Sequence, residues 1–315
     1  MMILICGISS EAPVRLVIEA AVKQRALHVV FHQREAHLYD LHLAVDGAGL
    51  WGQLYMRHKT WRLNEFSGIY VRLMDYRDLP EHQPHMPGAL NADERHKSAL
   101  IHSTLDEWLE MASCPVLNRS SAMASNSSKP YQAQLIARAG LDTPATLVTN
   151  QPDAARTFWD EHERVIFKSI SSIRSVVKEL TQARLAELAR IRFLPTQFQA
   201  YVPGTNIRVH VVGDELFATR IDTEAVDYRY AGQDGLDVAM MPIVLPDAIA
   251  DRCRRLAHLL NLPLCGIDLK QTPDDQYVCF EVNPSPGYSY YQERTGQNIA
   301  GAIVRYLMQQ EQNTV

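Results

Sequence analysis

At 315 residues the chain can form two or three compact subdomains, and 46% hydrophobic with 21% charged residues is the balance of an ordinary folded protein, which excludes disorder. A formal charge of −5 argues against broad non-specific binding to nucleic acid or to an anionic membrane, because both need an excess of Lys and Arg on one face. The five cysteines (Cys6, Cys114, Cys253, Cys265, Cys279) form no CxxC pair and sit in apolar runs, as reduced thiols of a cytoplasmic protein would. The first residues lack a basic segment and turn polar at Ser9-Ser10-Glu11, so they are expected to be a first strand and not a signal peptide. No apolar run approaches the roughly 20 residues of a membrane span.

Residues 1 to about 115 alternate strand and helix. Strands are expected at 3–6, 28–31 and 68–73 and helices at 12–25 and 93–111, a rhythm that predicts a small α/β domain with a parallel sheet. Residues 46–63 are expected to add one hairpin. The serine-rich stretch 119–129 reads as a linker or exposed loop, and a domain boundary is placed there. Beyond it, a helix over 129–139 stops at Gly140, a strand covers 146–149, and Asn150 is expected to cap a helix with Pro152 in its first turn. A strand at 165–168 and an amphipathic helix at 182–191 follow. From Thr196 the pattern turns to hairpins, the first with arms 207–212 and 215–221 around Gly213-Asp214. A helix at 247–260 leads to the second, with arms 266–270 and 277–283. The expected class is α/β, becoming α+β in the C-terminal half.

The second hairpin carries the clearest chemistry. Alternation in Tyr277-Val-Cys-Phe-Glu-Val-Asn283 puts Glu281 and Asn283 on one face and Val278, Phe280 and Val282 on the other. If the turn centres between Asp274 and Asp275, antiparallel pairing sets Asp268 opposite Glu281 and Gly266 opposite Asn283. Carboxylates about 5 Å apart at Cβ repel, and a cation reverses that. Two carboxylates and an amide oxygen are hard ligands suited to Mg²⁺ and poorly suited to Zn²⁺. The plainer alternative is ion pairing with a neighbour such as Lys270, although apolar flanks predict a buried hairpin where unpaired carboxylates are costly. Gly266 leaves room beside Asn283 for something large.

Lys168 ends an apolar strand and precedes a run of small hydroxyl residues that includes Ser171 and Ser172. Such a loop can hold phosphate oxygens by backbone N–H groups and hydroxyls, with Lys168 as point charge; an exposed serine loop is the alternative. The connector Gln199-Ala200-Tyr201-Val202 offers backbone groups to an adenine edge or is a plain interdomain strand. Arg208, near Asn206, and Arg229 are candidates for steadying a transferred phosphoryl group, with surface salt bridges as their alternative. His82 and His85 lack the further ligands a metal clip needs.

Taken in chain order, these pieces resemble the ATP-grasp superfamily, above all its RimK-like branch and the ligases of graspetide or microviridin type that crosslink ribosomally made peptides. The resemblance runs from about Val116 to the C-terminus and is strongest in Gly266-Ile-Asp-Leu-Lys270, Phe280-Glu-Val-Asn-Pro284 with Gly287, and Thr295-Gly-Gln297. It implies an ATP-grasp fold with a small N-terminal α/β domain over 1–118, a lid subdomain over 119–198 and a C-terminal subdomain over 199–315 that holds ATP and Mg²⁺, with Mn²⁺ as a substitute. Asp268, Glu281 and Asn283 would hold the metal. Lys129 and Lys168 would meet the phosphates with Ser171 and Ser172, and Gln199, Ala200, Val202 and Asn206 would line the nucleotide site. Arg208 and Arg229 would serve catalysis. The sequence departs from the family at Ser171 and Ser172, where glycines are usual, and at Ala200, where an acid is common.

The activity so implied is ligation of a peptide or amino-acid carboxylate to an amine or hydroxyl through an acyl phosphate, with no nucleic-acid or membrane partner and with a homodimer among the assemblies relatives form. An ATP-grasp kinase and a nucleotide- or peptide-binding pseudoenzyme are the rival readings.

Overall fold

The computed structural model describes residues 1–47, 49–169, 177–223 and 238–309. Ser171, Ser172 and Arg229 lie outside the described residues.

The N-terminal unit comprises β1 (Met2–Gly7), α1 (Ala12–Lys23), β2 (Leu27–His32), β3 (Asp40–Asp46), β4 (Gly49–Met56), β5 (Lys59–Arg62), β6 (Phe66–Arg72), α2 (Ala92–Met111) and β7 (Val116–Leu117). Strands β2-β1-β6-β7 form the expected parallel sheet. Both faces of β1 are buried, which is why it reads as an unbroken apolar run. Ile3 and Ile5 pack towards α1 and the C-terminal helix, while Leu4 and Cys6 pack with Trp108 of α2. Asn91 starts α2 with a capping box to Glu94. The single hairpin expected over 46–63 is instead a three-stranded antiparallel meander, β3-β4-β5, that begins at Asp40. Its first strand alternates Leu41, Leu43 and Val45 with polar or small residues, but none of its residues is fully buried and it carries no continuous apolar run.

The central part contains α3 (Ser120–Met123), α4 (Lys129–Arg138), β8 (Thr146–Thr149), α5 (Pro152–Glu161), β9 (Val165–Ser169), β10 (Lys178–Glu179), α6 (Gln182–Leu185) and β11 (Thr196–Ala200). The serine-rich stretch is thus not a plain loop: it holds α3 and a 3₁₀ turn, Ala124–Ser127. The amphipathic helix expected over 182–191 is broken into α6 and a 3₁₀ segment, Leu188–Phe193, that keep Leu185 and Leu188 in one small core with Phe198. Gln151, not Asn150, occupies the cap position of α5, without a side-chain cap. Strands β10-β9-β11-β8 form an antiparallel sheet.

The C-terminal part contains β12 (Thr205–Val212), β13 (Glu215–Asp222), β14 (Ala239–Ile243), α7 (Asp247–Leu259), β15 (Leu264–Gln271), β16 (Tyr277–Asn283), α8 (Ser289–Thr295) and α9 (Ile299–Met308). Its five-stranded antiparallel sheet runs β14-β13-β12-β15-β16. One face, with Ile207, Val209, Val211, Ile267 and Leu269, packs on Leu135 and Ile136 of α4 and on Cys253 and Leu256 of α7. The opposite face carries polar residues and looks into the cleft below the central sheet.

Helix α9 ties the last part to the first: Ile303, Val304 and Leu307 share a core with Ile3, Ile5 and Tyr70. At the crossing a Cβ on Gly68 would stand 2.5 Å from the carbonyl oxygen of Leu307 and 2.9 Å from its Cα. Both atoms are backbone and cannot turn aside, so Gly68→Ala should destabilise the fold by about 1–3 kcal/mol, the usual cost of overpacking. Urea unfolding followed by circular dichroism reads this directly, and an unchanged midpoint would show that α9 does not depend on the close approach.

Candidate active site

The polar face of the C-terminal sheet is built by register. Asp268 lies opposite Glu281 across β15 and β16, Gly266 lies opposite Asn283, and Arg208 of β12 pairs with Asp268 from the other side. The pairing at the acids agrees with expectation, by a route that the sequence hid. The turn leaves Gln271 opposite Tyr277 and Lys270 opposite Val278, one residue off the expected register, and an irregularity between Asp268 and Leu269 restores it. The extra residue on β16 is Phe280, which makes this a β-bulge.

The bulge corrects the face assignment of β16. Cys279 and Val282 are the fully buried core residues of this strand, whereas Phe280 lines the cleft beside Glu281. The expected apolar face of Val278, Phe280 and Val282 therefore does not exist. Alternation cannot survive an inserted residue, and nothing local in the sequence announces the insertion.

Each carboxylate has cationic partners, and none of the bonds seen involves Lys270. Arg208 Nη1 donates to Asp268 Oδ1 at 2.7 Å. Lys129 Nζ, at the start of α4, donates to Glu281 Oε2 at 2.7 Å, and Lys168 Nζ of β9 stands 3.6 Å from the same oxygen. Lys270 Nζ instead donates to the Val202 carbonyl at 2.9 Å and lies 4.9 Å from the Tyr201 ring. Burial lowers the pKa of Lys270, with Arg164 adding to the effect. Three cations, Arg208, Lys129 and Lys168, thus face the two carboxylates.

Gly266 explains the freedom expected of it. A Cβ there would collide with the guanidinium of Arg208, so the space beside Asn283 belongs to that side chain. Arg208 is 5% exposed, with Tyr291 of α8 5.8 Å from its Cζ. Two residues further along the same face, His210 is fully buried and stacks edge-on against Tyr291 at 4.8 Å.

The remaining predicted residues divide. Lys168, Gln199, Val202, Asn206, Asp268 and Glu281 line one cleft of about 120 Å³ with Ile166, Leu269 and Phe280. A neighbouring groove of about 430 Å³ is lined by Lys129, Thr146, Gln197 and, again, Gln199 and Phe280. Ala200 has its N–H committed to the Ala145 carbonyl at 2.9 Å. The amide oxygen of Asn283 accepts from Ser285 N–H at 2.9 Å, which turns the chain just past the strand.

Four residues escaped sequence reasoning. Gln132 and Asn118 hold the backbone around Val282 and Pro284. Arg72, at the end of β6, donates to Glu11 at 2.6 Å and to Ser285 Oγ at 3.1 Å, joining the N-terminal unit to the loop after Asn283. Tyr201 receives the Arg164 guanidinium at 3.8 Å on its ring. Only Gln132 left a trace, as a polar residue three positions after Lys129 on a helix.

The model of the RimK-like ATP-grasp domain matches residues 126–307, more than half of the chain. The chain belongs to the RimK-like ATP-grasp family. It is 30% identical over 210 residues to the ribosomal protein bS6–L-glutamate ligase of Escherichia coli O7:K1, covering 63% of this chain and 69% of that enzyme. To β-citrylglutamate synthase B of Danio rerio it is 25% identical over 216 residues, covering 65% of this chain and spanning about half, 53%, of the relative. Among solved structures, the macrocyclase MdnC of Microcystis aeruginosa MRC, bound with precursor peptide MdnA, aligns at a TM-score of 0.78 and 21% identity, over 98% of this chain and 99% of that one. The ATP-grasp ligase PsnB, complexed with a minimal precursor, aligns at 0.77 and 25% identity, over 97% and 98%. The ATP-grasp fold accounts for the two antiparallel sheets facing each other across the cleft.

The donor set fits a magnesium ion in such a fold. Among the described residues no three His, Cys, Asp or Glu side chains gather as a metal cage. Two opposed carboxylates with an amide oxygen beside lysines are what Mg²⁺ uses when phosphate oxygens complete its shell.

Burial holds His210 well below the usual histidine range, with Arg208 adding to it. In the N-terminal unit burial also lowers His82, and it lowers His102 against an opposing bond to the Ser98 carbonyl. The unfolded chain protonates these imidazoles near pH 6.5, while the folded chain resists until lower pH. The unfolded state therefore binds more protons below about pH 6.5, and stability falls as the pH drops from there. His210→Phe should flatten this decline without removing it, measured as urea unfolding free energy between about pH 7.5 and pH 5. An unchanged slope would remove His210 from the explanation.

Proposed function

We propose that this protein is an ATP- and Mg²⁺-dependent ligase that joins a peptide or amino-acid carboxylate to an amine or hydroxyl through an acyl phosphate. The observation that carries the reading is the register that sets Asp268 against Glu281 with Arg208, Lys129 and Lys168 around them. The fold family and the glutamate ligases and peptide-modifying ligases it resembles support the same conclusion. The cytoplasm is the proposed compartment, in keeping with five free thiols, four of them fully buried. No helix among the described residues is long and apolar enough to cross a membrane.

In this reading the nucleotide lies between β9 and β11 above and β15 and β16 below. Lys129 and Lys168 neutralise phosphate oxygens and thereby exchange their hold on Glu281. Asp268, Glu281 and Asn283 would hold Mg²⁺, which when bound withdraws charge from the phosphoryl oxygens. A substrate carboxylate oxygen attacks the γ-phosphorus, and the bond to the β-phosphate oxygen breaks to release ADP. Arg208, fixed by Asp268 and by the missing Cβ of Gly266, steadies the negative charge on the phosphoryl group. An amine or hydroxyl then attacks the acyl carbon and loses its proton, and inorganic phosphate departs. The division at residues 118 and 198 belongs to the same proposal, with α4 contributing to the core of the C-terminal sheet.

The matching experiment follows ADP and phosphate release with Mg²⁺, ATP and a panel of glutamate-rich peptides and free amino acids, with mass spectrometry of the products. Turnover should require both Mg²⁺ and a carboxylate substrate, and the product should weigh one water less than its two parts. Glu281→Gln should abolish it. Gly266→Ala should lose activity as Arg208→Ala does, by about 10²–10³-fold, and the double variant should be no worse than either. A phosphate ester as product would replace the ligase with a kinase, and tight ATP binding without turnover would replace it with a binding protein.

A further inference from the structure

Strand β16 is the outermost of its sheet, so its outer edge needs partners other than a strand. Helix α4 supplies one. Gln132 is 2% exposed; its Nε2 donates to the Val282 carbonyl at 2.9 Å, and its Oε1 accepts from Val282 N–H at 2.8 Å. The two partners fix which way the amide points, and together they do for one residue what a neighbouring strand would do. Val282 stands between Glu281 and Asn283. Its side chain goes into the core while those two project to the polar face. The edge is tied on either side of this point as well: Cys279 N–H donates to the Asp142 carbonyl at 2.8 Å, and Asn118 Nδ2 donates to the Pro284 carbonyl at 2.6 Å.

We propose that Gln132 is a positioning residue for cation binding, holding the Val282 peptide groups so that Glu281 and Asn283 keep their aim. The proposal rests on reading those two residues as cation ligands. Two features single out this contact from ordinary packing. It falls at the residue between both ligands, two positions after the Phe280 bulge, where β16 is paired with β15 on its inner side only and its outer edge has no strand. It also shares a helix face with Lys129, one turn earlier, whose Nζ meets Glu281 at 2.7 Å. A single docking of α4 thus sets the direction of Glu281 from two points, its backbone through Gln132 and its carboxylate through Lys129.

The test is electron paramagnetic resonance of Mn²⁺ titrated into the ADP-saturated protein, beside calorimetry of ADP binding without metal. Gln132→Met keeps the size and loses both bonds; Gln132→Glu keeps the acceptor and loses the donor, and serves if the first variant does not fold. Either should weaken Mn²⁺ binding by about 10–100-fold, the range for groups that orient metal ligands, with metal-free ADP affinity kept within about twofold. A folded variant with the wild-type Mn²⁺ affinity overturns the proposal, as does an equal loss of metal-free ADP binding. If the wild-type protein takes up no Mn²⁺ with ADP, or Glu281→Gln leaves uptake unchanged, the cation site itself fails and Gln132 loses this role with it.

Discussion

Two carboxylates set directly opposite each other on adjacent strands are the constraint around which this molecule is arranged. Asp268 and Glu281 face one another by register, and like charges in that relation oppose the pairing of their own strands. Each acid is therefore met from a different element: Arg208 from the next strand of the same sheet, Lys129 from α4 and Lys168 from the central sheet. These are partly buried pairs, where leaving one charge without its partner costs far more than at the surface. Under the proposed function the cluster exchanges partners, a polyphosphate and a divalent cation taking over the two sides of each ion pair. Ion pairing, the plainer reading of these acids, and metal binding are on this view two states of one site.

The legibility of that site in the sequence was uneven for a physical reason. Pairing between residues close along the chain, as in a hairpin, follows from strand pattern and turn position, so Asp268, Glu281, Gly266 and Asn283 could be placed together. Even there, agreement depended on two displacements that offset each other, a turn one residue off centre and a bulge at Phe280. The bulge left its mark in the face of Phe280, which no periodicity argument could have turned towards the cleft. Contacts across long sequence separations left weaker traces. Gln132 and Val282 are 150 residues apart, and Asn118 and Pro284 are 166 apart. A buried amide that pairs with a strand edge looks, in sequence, like any polar residue of a helix.

The fold followed the same rule. The parallel sheet was readable because burial on both faces writes continuous apolar runs, as in Ile3 to Cys6. The β3-β4-β5 meander exceeds the hairpin expected over 46–63 because its first strand, with Leu41, Leu43 and Val45 at alternate positions, has no continuous apolar run, and the helix expected over 182–191 is broken because two short turns satisfy the same apolar spacing. Family resemblance supplied what pattern could not, namely that sheets from separate stretches of chain meet across one cleft.

One strand shows how site and core are joined. Along one face of β12 the alternate residues are Asn206, Arg208, His210 and Val212. They run from the cleft lining, through a guanidinium bound to Asp268 and a buried imidazole packed on Tyr291, to an apolar residue in the core shared with the N-terminal sheet. Polarity falls step by step along these four alternate positions, so the arginine is held at its root by packing and at its tip meets Asp268, which lines the cleft. A charged group placed this way keeps its direction when substrates arrive, since the residues behind it have no room to rearrange. The arginine's reach is thus set by the packing of the residues behind it, and at Gly266 the missing Cβ yields space to its guanidinium.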